Sequence, residues 1–294
     1  MQRLGDRMAP STSSMIDVVP VPVSVVILTL QEEANIVPCI RSCRGLGDVH
    51  VLDSGSTDRT GELAAAEGAK VWRNPFTSFG AQRNWAIDHI ACNHDWILHL
   101  DADERVTPAL LAEVRDVLAG EPGHAGFNVP SKLMFMGRWL RRCGQYPTYQ
   151  VRLFHRRRLR FCDHGHGQRE ATDGTIGTLR EPYEHWAFSK GLDDWIAKHN
   201  RYSSLEAAQI LSDVSPLRLL DALVGDRVTR RRQLKRIAAR LPRRDWLRAF
   251  QMLVLHGGVL DGPAGWRYAG LMCLYERMIA LKVADARARP GTLP

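Results

Sequence analysis

The segment LHLDADERVT (residues 98–107) places three carboxylates, those of Asp101, Asp103 and Glu104, directly after an apolar, β-prone run. Carboxylates at positions i and i+2 beyond a strand can reach one small cavity, and their repulsion raises the pKa of one of them unless a cation neutralises both. Mg²⁺ and Mn²⁺ prefer carboxylate and phosphate oxygens. We therefore expect Asp101 and Asp103 to hold a divalent metal ion; the alternative is a solvated acidic turn.

A second cluster, in LDSGSTDRT (residues 52–60), offers hydrogen bonds rather than a metal site. The Asp53 carboxylate can accept a hydrogen bond from a base N–H or a ribose hydroxyl, Ser54 adds a hydroxyl, and Gly55 permits close approach. The segment lacks the G-x-G-x-x-G spacing of dinucleotide-binding sites. The alternative is a plain turn that caps a helix.

A third cluster, in FGAQRN (residues 79–84), places Gln82 and Arg83 at the start of a predicted helix. A helix N-terminus favours an anion, and an arginine there can pair with a diphosphate. The alternative is an ordinary surface arginine.

Strands that alternate with helices must position these clusters. The predicted strands are VSVVILTL, DVHVL, KVW and DWILHL, and the intervening helices include Glu33–Arg44, an Ala-rich helix capped by Ser56 or Thr57, and one opened by Thr107. This alternation predicts an α/β fold with a parallel sheet. Ligands of such sheets bind at the carboxyl ends of the strands, where all three clusters and the polar stretch 29–33 fall.

The remainder of the chain changes character after Gly120. Residues 121–215 mix strand-like pieces with aromatic and basic residues, whereas residues 216–250 are helical in pattern and carry 11 Lys or Arg against 3 Asp. We expect a disordered lead at 1–21, a catalytic domain at 22–215 with halves 22–120 and 121–215, and a helical, basic and apolar region at 216–294. The net charge of +8 indicates an anionic partner, and six scattered cysteines favour a reducing compartment.

Four segments in this order carry a family resemblance: VSVVILTLQEEANI, VLDSGSTDRT, FGAQRNWAI and LHLDADERVTPAL, over residues 23–112. They resemble the family 2 glycosyltransferases, and most of all the branch similar to lipopolysaccharide-core β-glucosyltransferases. The resemblance implies a GT-A fold, that is, a Rossmann-like, mostly parallel sheet that binds a nucleotide sugar, here with a helical, basic amphipathic extension at the C-terminus.

The resemblance also implies roles for individual residues. Metal ligands would be Asp101 and Asp103, with His185 as a third, and the cofactor would be Mg²⁺ or Mn²⁺. The nucleotide sugar would contact residues at the ends of three strands and at the helix start: Thr29, Glu32, Asp53, Ser54, Gln82, Arg83 and Asp101. Thr148 stands where the branch often has Asp, which puts an acceptor-side carboxylate in doubt.

The implied reaction is an inverting hexosyl transfer from a UDP-hexose, UDP-glucose or a similar donor, to a hydroxyl of a saccharide or lipid-linked saccharide in cell-envelope polysaccharide or lipopolysaccharide synthesis. A carboxylate base must take the acceptor proton. The candidates lie in FCDHGHGQRE: Asp163, His164, His166 and Glu170. The resemblance favours Glu170, with Asp163 second; the alternative is a turn with two surface histidines.

In the C-terminal region, the segment DWLRAFQMLVLHGG places apolar side chains beside the basic run, and this pattern predicts a membrane contact. We expect a cytoplasmic protein held on the inner face of the cytoplasmic membrane by anionic lipid. We expect no nucleic-acid partner, since the sequence has no RNA-binding or helix-turn-helix signature.

Two other classes remain open. A phosphohydrolase of the haloacid-dehalogenase type could use Asp101 as nucleophile, but that class has its D-x-D after the first strand, and Arg105 stands where it usually has a hydroxyl residue. A family member with weak transferase activity that serves as a membrane-binding module is the other alternative, and Thr148 keeps it open.

Overall fold

The computed structural model describes residues 19–164, 167–212, 226, 230, 233, 237 and 243–289. Most of the predicted lead, His166 and most of the arginine-rich stretch before residue 243 therefore lie outside the described residues.

Four parallel strands form the first half of the main sheet, and they are β1 (Val23–Thr29), β2 (Val49–Asp53), β3 (Lys70–Arg73) and β4 (Trp96–Asp101). They lie in the order β3-β2-β1-β4 and are joined by α1 (Ile36–Ser42), α2 (Thr60–Ala66) and α3 (Phe79–His89). Strand β1 lies between β2 and β4 and is almost wholly buried, as its unbroken apolar sequence predicts. The predicted parallel α/β half is confirmed.

The sheet becomes mixed after β4. The next elements are β5 (Glu104–Arg105), α4 (Pro108–Ala119), β6 (Gly126–Phe135), β7 (Arg138–Trp139), β8 (Thr148–His155), β9 (Arg160–His164), β10 (Gly167–Ala171), β11 (Ile176–Thr178) and β12 (Tyr183–His185). Strand β8 runs antiparallel between β4 and β6, and β12 follows β6 and pairs with β5. Strands β9 and β10 pair separately. Strands β6, β8 and β12 thus extend the same sheet, whereas β9 and β10 form a second, two-stranded sheet.

Two apolar clusters cover the sheet on opposite faces. One joins the strands to α1, α2 and α4, and the other packs α3 against β8 and β9 through residues such as Ile87, Phe154 and Phe161. Because α3 is held from both sides, the side chains of its first turns have fixed positions at the end of the sheet.

Side-chain hydrogen bonds cap the starts of α3 and α4. Thr107 caps α4 as predicted, since its hydroxyl accepts from the Leu110 N–H at 3.1 Å. The predicted cap of α2 at Ser56 or Thr57 is wrong, because α2 begins at Thr60. The Ser56 hydroxyl is instead engaged with the carboxylate of Asp53.

The C-terminal part consists of helices that pack on the catalytic half. It contains α5 (Gly191–Ser212), α6 (Arg244–Phe250), a π-helical turn (Gln251–Leu255), a 3₁₀ turn (Gly258–Asp261) and α7 (Gly262–Ala288). Helices α5 and α7 meet through Ala207, Ile279 and Val283. Within the described ranges, no helix is both long enough and apolar enough to cross a bilayer.

Candidate active site

The ends of β1, β2 and β4 meet at one edge of the sheet, called here the carboxyl edge. Thr29 lies opposite Asp53 in the β1–β2 register, and Leu28 lies opposite Asp101 in the β1–β4 register. Pairing of parallel strands therefore brings the polar clusters together, as the sequence predicts.

Asp101 lies between two buried arginines. Its Oδ1 accepts from Arg83 at 3.1 Å and its Oδ2 accepts from Arg152 at 2.8 Å. Burial alone would raise the pKa of Asp101, but the two guanidinium groups hold it well below its usual range. Two arginines of the chain itself thus neutralise the Asp101 carboxylate. A metal ion is therefore not needed for this purpose, in contrast to the expectation from the sequence.

Glu104 stabilises the acidic turn from its buried side. Its Oε2 accepts the backbone N–H of Asp101 at 3.0 Å, and its Oε1 forms an ion pair with Arg152. The side chain is only 1% exposed, and burial raises the pKa of Glu104 to about 7 although Arg152 opposes the shift. Glu104 therefore orients the turn that carries Asp101 and does not reach solvent.

Asp103 and His185 form the second pair of the site. The Asp103 Oδ2 lies 3.2 Å from His185 Nε2, and the antiparallel pairing of β12 with β5 sets His185 opposite Glu104. Burial lowers the pKa of His185, but the hydrogen bond to Asp103 and its charge outweigh this and raise the pKa overall. Both side chains retain some exposure, so a ligand can approach them.

A divalent ion fits this pair. The residues that the structure describes contain no group of three or more His, Cys, Asp or Glu side chains that could hold a metal alone. Asp103 and His185 together offer a carboxylate and an imidazole, which suit Mn²⁺, and a diphosphate supplies the further oxygens such ions take. Asp101, with each oxygen on an arginine, is a less available ligand than Asp103.

The diphosphate candidate Arg83 has a spare donor. Its Nε donates to Gln168 at 2.9 Å and its Nη2 donates to Asp101, but its Nη1 is buried and has no partner. A buried guanidinium N–H without an acceptor is costly, and an anionic ligand at the carboxyl edge removes that cost.

The nucleoside candidates form a connected hydrogen-bond network. Both Asp53 oxygens accept from the Ser56 N–H, at 3.1 and 3.0 Å, and Oδ1 also accepts its hydroxyl. Gln82 donates to the Ser54 hydroxyl at 3.0 Å. The Thr29 hydroxyl is buried and unpartnered, which leaves a polar group for a ligand beside Asp53.

Glu32 is tied to the segment that follows β12. Its Oε1 accepts from Lys190 Nζ at 2.7 Å, and the same ammonium donates to the Gln31 carbonyl at 3.2 Å. Lys190 follows His185 by five positions, so this ion pair joins the segment after β12 to the end of β1.

The two predicted bases occupy different surroundings. Asp163 accepts from the Ser78 hydroxyl at 2.7 Å and from the Gly80 N–H at 3.0 Å, so its carboxylate holds the first turn of α3. Glu170 lies on β10, two residues beyond the Gln168 that bonds Arg83 and on the same face of the strand. The two hydrogen bonds that Asp163 accepts favour a structural role for this residue.

Comparison with known proteins decides the family. The model of Glycosyl transferase family 2 matches residues 24–173, about half of the chain. The chain belongs to glycosyl transferase family 2. As a family 2 glycosyltransferase with a parallel nucleotide-binding half, it has the expected GT-A fold, and the phosphohydrolase alternative is wrong.

Several known proteins are similar to this glycosyltransferase. The lipopolysaccharide core biosynthesis glycosyltransferase LpsC of Rhizobium meliloti is 28% identical over 64% of this chain and 71% of its own length. An uncharacterized glycosyltransferase of Rickettsia bellii is 28% identical over 64% and 67%. Glucosyl-3-phosphoglycerate synthase of Mycobacterium tuberculosis, solved with Mn²⁺, UDP-glucose and glycerol 3-phosphate, is 25% identical over 42% of this chain and 46% of that one, at a TM-score of 0.31. The match spans less than half of that structure.

Sequence reasoning missed two residues of this glycosyltransferase site, Arg152 and Lys190. The signal for Arg152 was present: a charged residue stands inside the strand sequence YQVRLF, where only a buried partner can accommodate it. For Lys190 there was no comparable signal, because an ammonium in a polar turn is ordinary.

Proposed function

We propose that the chain is a metal-dependent, inverting hexosyltransferase that moves a hexose from a UDP-hexose, with UDP-glucose as the first candidate, to a hydroxyl of a saccharide or lipid-linked saccharide. The observation that carries the proposal is the Asp103–His185 pair, which lies at the carboxyl edge near a buried arginine with an unpartnered donor. Family membership supports the reaction class.

The donor would lie along the carboxyl edge. Asp53, Thr29 and Glu32 would contact the nucleoside, with Ser54 and Gln82 fixing the adjoining backbone. The unpartnered Nη1 of Arg83 would donate to the diphosphate, and Asp101 would hold that guanidinium in place. Asp103 and His185 would hold Mg²⁺ or Mn²⁺, which when bound stabilises charge on the departing diphosphate.

The acceptor hydroxyl would lose its proton to a carboxylate, and its oxygen would then attack the anomeric carbon from the side opposite the diphosphate. An α-linked donor would give a β-glycoside. We propose Glu170 as the base in preference to Asp163, because Asp163 already accepts two hydrogen bonds from the start of α3.

Two observations support a class of acceptor. LpsC bears the name of a lipopolysaccharide core enzyme, and the chain is strongly basic. We propose a cell-envelope saccharide at an anionic membrane surface as the acceptor, with the enzyme peripheral on the inner face of the cytoplasmic membrane.

Calorimetry with UDP and Mn²⁺ tests the donor site. We expect metal-dependent binding that Asp103→Ala and His185→Ala each abolish, while Asp116→Ala, an exposed acid on α4, leaves it unchanged. UDP binding that needs no metal, or that survives Asp103→Ala, contradicts the proposal.

Slow hydrolysis of a panel of nucleotide sugars then identifies the donor. Glu170→Gln should retain UDP binding and lose transfer to acceptor. Retained transfer would exclude Glu170 as the base and leave the donor site unaffected.

A further inference from the structure

The C-terminal helices expose an unusual number of large apolar side chains. Over α6, the π-helical turn, the 3₁₀ turn and the start of α7, the outward side chains form a set called here the apolar face: Trp246, Leu247, Phe250, Val254, Leu255, Val259, Leu260 and Trp266. Trp246 is 66% exposed, Leu255 68% and Leu260 73%. So dense a run of exposed apolar residues marks an interaction surface in a folded protein.

The segment that carries the apolar face is well packed on its inner side. There Met252 is fully buried and packs with Cys143 and Ala269. The carboxylate of Asp261 accepts the backbone N–H groups of Arg142 and Cys143, at 3.0 and 2.7 Å. The segment is therefore held in one orientation, and its outer side chains are presented to a partner.

Charge beside the apolar face selects the partner. A cavity of about 280 Å³ adjoins Trp246 and is lined by Arg243, Arg244 and Arg277, with Asp245 as its only acid. The Asp245 carboxylate faces the Arg277 guanidinium at 4.0 Å, and Arg244 is paired with Glu276. Arg243 is exposed. Arg244 and Arg277 are thus compensated by acids, and the exposed Arg243 is the guanidinium that can meet a lipid phosphate at the border of the apolar face.

We propose that the apolar face and this arginine cavity together bind an anionic phospholipid bilayer. The apolar side chains enter the boundary between headgroups and acyl chains, Trp246 and Trp266 lie at headgroup level, and the cavity takes a lipid phosphate. The partner is the bilayer surface itself, because the exposed Arg243 at the border of the apolar face and the net charge of +8 complement anionic lipid headgroups.

The membrane contact is connected to the active site. Tyr268 of α7 packs with Phe135 of β6 and with Phe188, three residues beyond His185, and the Phe135 and Phe188 rings lie 4.4 Å apart. Helix α7, whose start carries Trp266 of the apolar face, therefore links a bound bilayer to the segment that follows His185. The purpose of this contact, delivery of a lipid-linked acceptor, rests on the proposed function, but lipid binding itself does not.

Vesicle flotation of the full chain tests the proposal, with vesicles of phosphatidylcholine alone or with about one third phosphatidylglycerol. We expect binding to the anionic vesicles only. The double variant Leu255→Asp/Leu260→Asp should bind at least about tenfold more weakly, since it sets two carboxylates against the anionic surface. Arg243→Glu should weaken binding and reduce its salt dependence. Leu205→Asp, an exposed apolar residue on α5, is the matched control and should bind like the wild type.

Three results overturn the proposal. They are equal binding of the wild type and the double variant, equal binding to both vesicle types, and a wild-type dimer that the double variant dissociates while neither protein binds vesicles. UDP calorimetry without vesicles is run on the same proteins. A wild type that binds UDP but no vesicles refutes only the membrane contact, and a wild type that binds anionic vesicles but no UDP refutes only the donor site.

Discussion

Replacing Arg152 by Met should destabilise the protein in a pH-dependent way. Arg152 is 1% exposed and is the cation shared by Asp101 and Glu104. Methionine keeps much of the side-chain volume, so the main loss is the charge and its hydrogen bonds. Removal of one partner from a buried ion pair leaves the other charge without compensation.

The size of the effect follows from the two carboxylates. Glu104 has a pKa of about 7 with Arg152 beside it. Without the arginine, Glu104 is protonated in the native state at pH 8, and the uptake of this proton lowers the free energy of unfolding by about 1 to 2 kcal/mol. Asp101 loses a 2.8 Å charged hydrogen bond, about 1.5 to 3 kcal/mol for a buried group and less here, because the Asp101 side chain is 38% exposed and keeps Arg83. We expect a total of about 3 kcal/mol at pH 8.

Urea unfolding at pH 8 and pH 5.5 measures this. At pH 5.5 Glu104 is protonated in both proteins, so the cost should fall by about 1 to 2 kcal/mol. The wild type itself should lose stability as the pH rises from 4.5 to about 7, because the native state retains a proton that the unfolded chain releases, and Glu104→Gln should lack this decrease. A cost for Arg152→Met below about 1 kcal/mol at pH 8, or one independent of pH, would refute the reasoning.

Two further predictions concern the periphery of the site. Asp163→Asn should lower stability by about 1 kcal/mol in urea unfolding, because the start of α3 loses a charged acceptor, and transfer should stay within about twofold of wild type, unlike that of Glu170→Gln. A hundredfold loss of rate at unchanged stability would make Asp163 the base. Lys190→Met should weaken UDP binding in calorimetry by up to about fivefold through loss of the ion pair to Glu32; an equal effect of Lys70→Met, on the exposed edge strand, would remove the site-specific explanation.

Much of the nucleotide-binding half follows from sequence patterns. The apolar run of β1 can only be buried on both faces, and β-branched residues with a polar cluster at the end predict a parallel strand that ends at a ligand. Arg83 is a similar case, because the sequence predicts a helix here and the structure places Arg83 in the first turns of α3.

Residues 121–215 are less predictable from the sequence. Strand β8 begins next to a glycine-rich and aromatic stretch with no regular period, and its antiparallel insertion between β4 and β6 depends on pairing partners far along the chain. The same holds for β12, a three-residue strand whose pairing with β5 makes it part of the site.

The sequence by itself determined that Asp101 and Asp103 lie at the end of a buried strand and require cations, because carboxylates crowded there repel one another. Only the tertiary structure decided which side chains pair with them. Arg152 reaches Asp101 across 51 residues and His185 reaches Asp103 across 82, by strand pairings that no local pattern encodes. The two acids thus differ in role, since burial beside fixed arginines occupies Asp101, whereas the partly exposed Asp103–His185 pair stays open to a ligand.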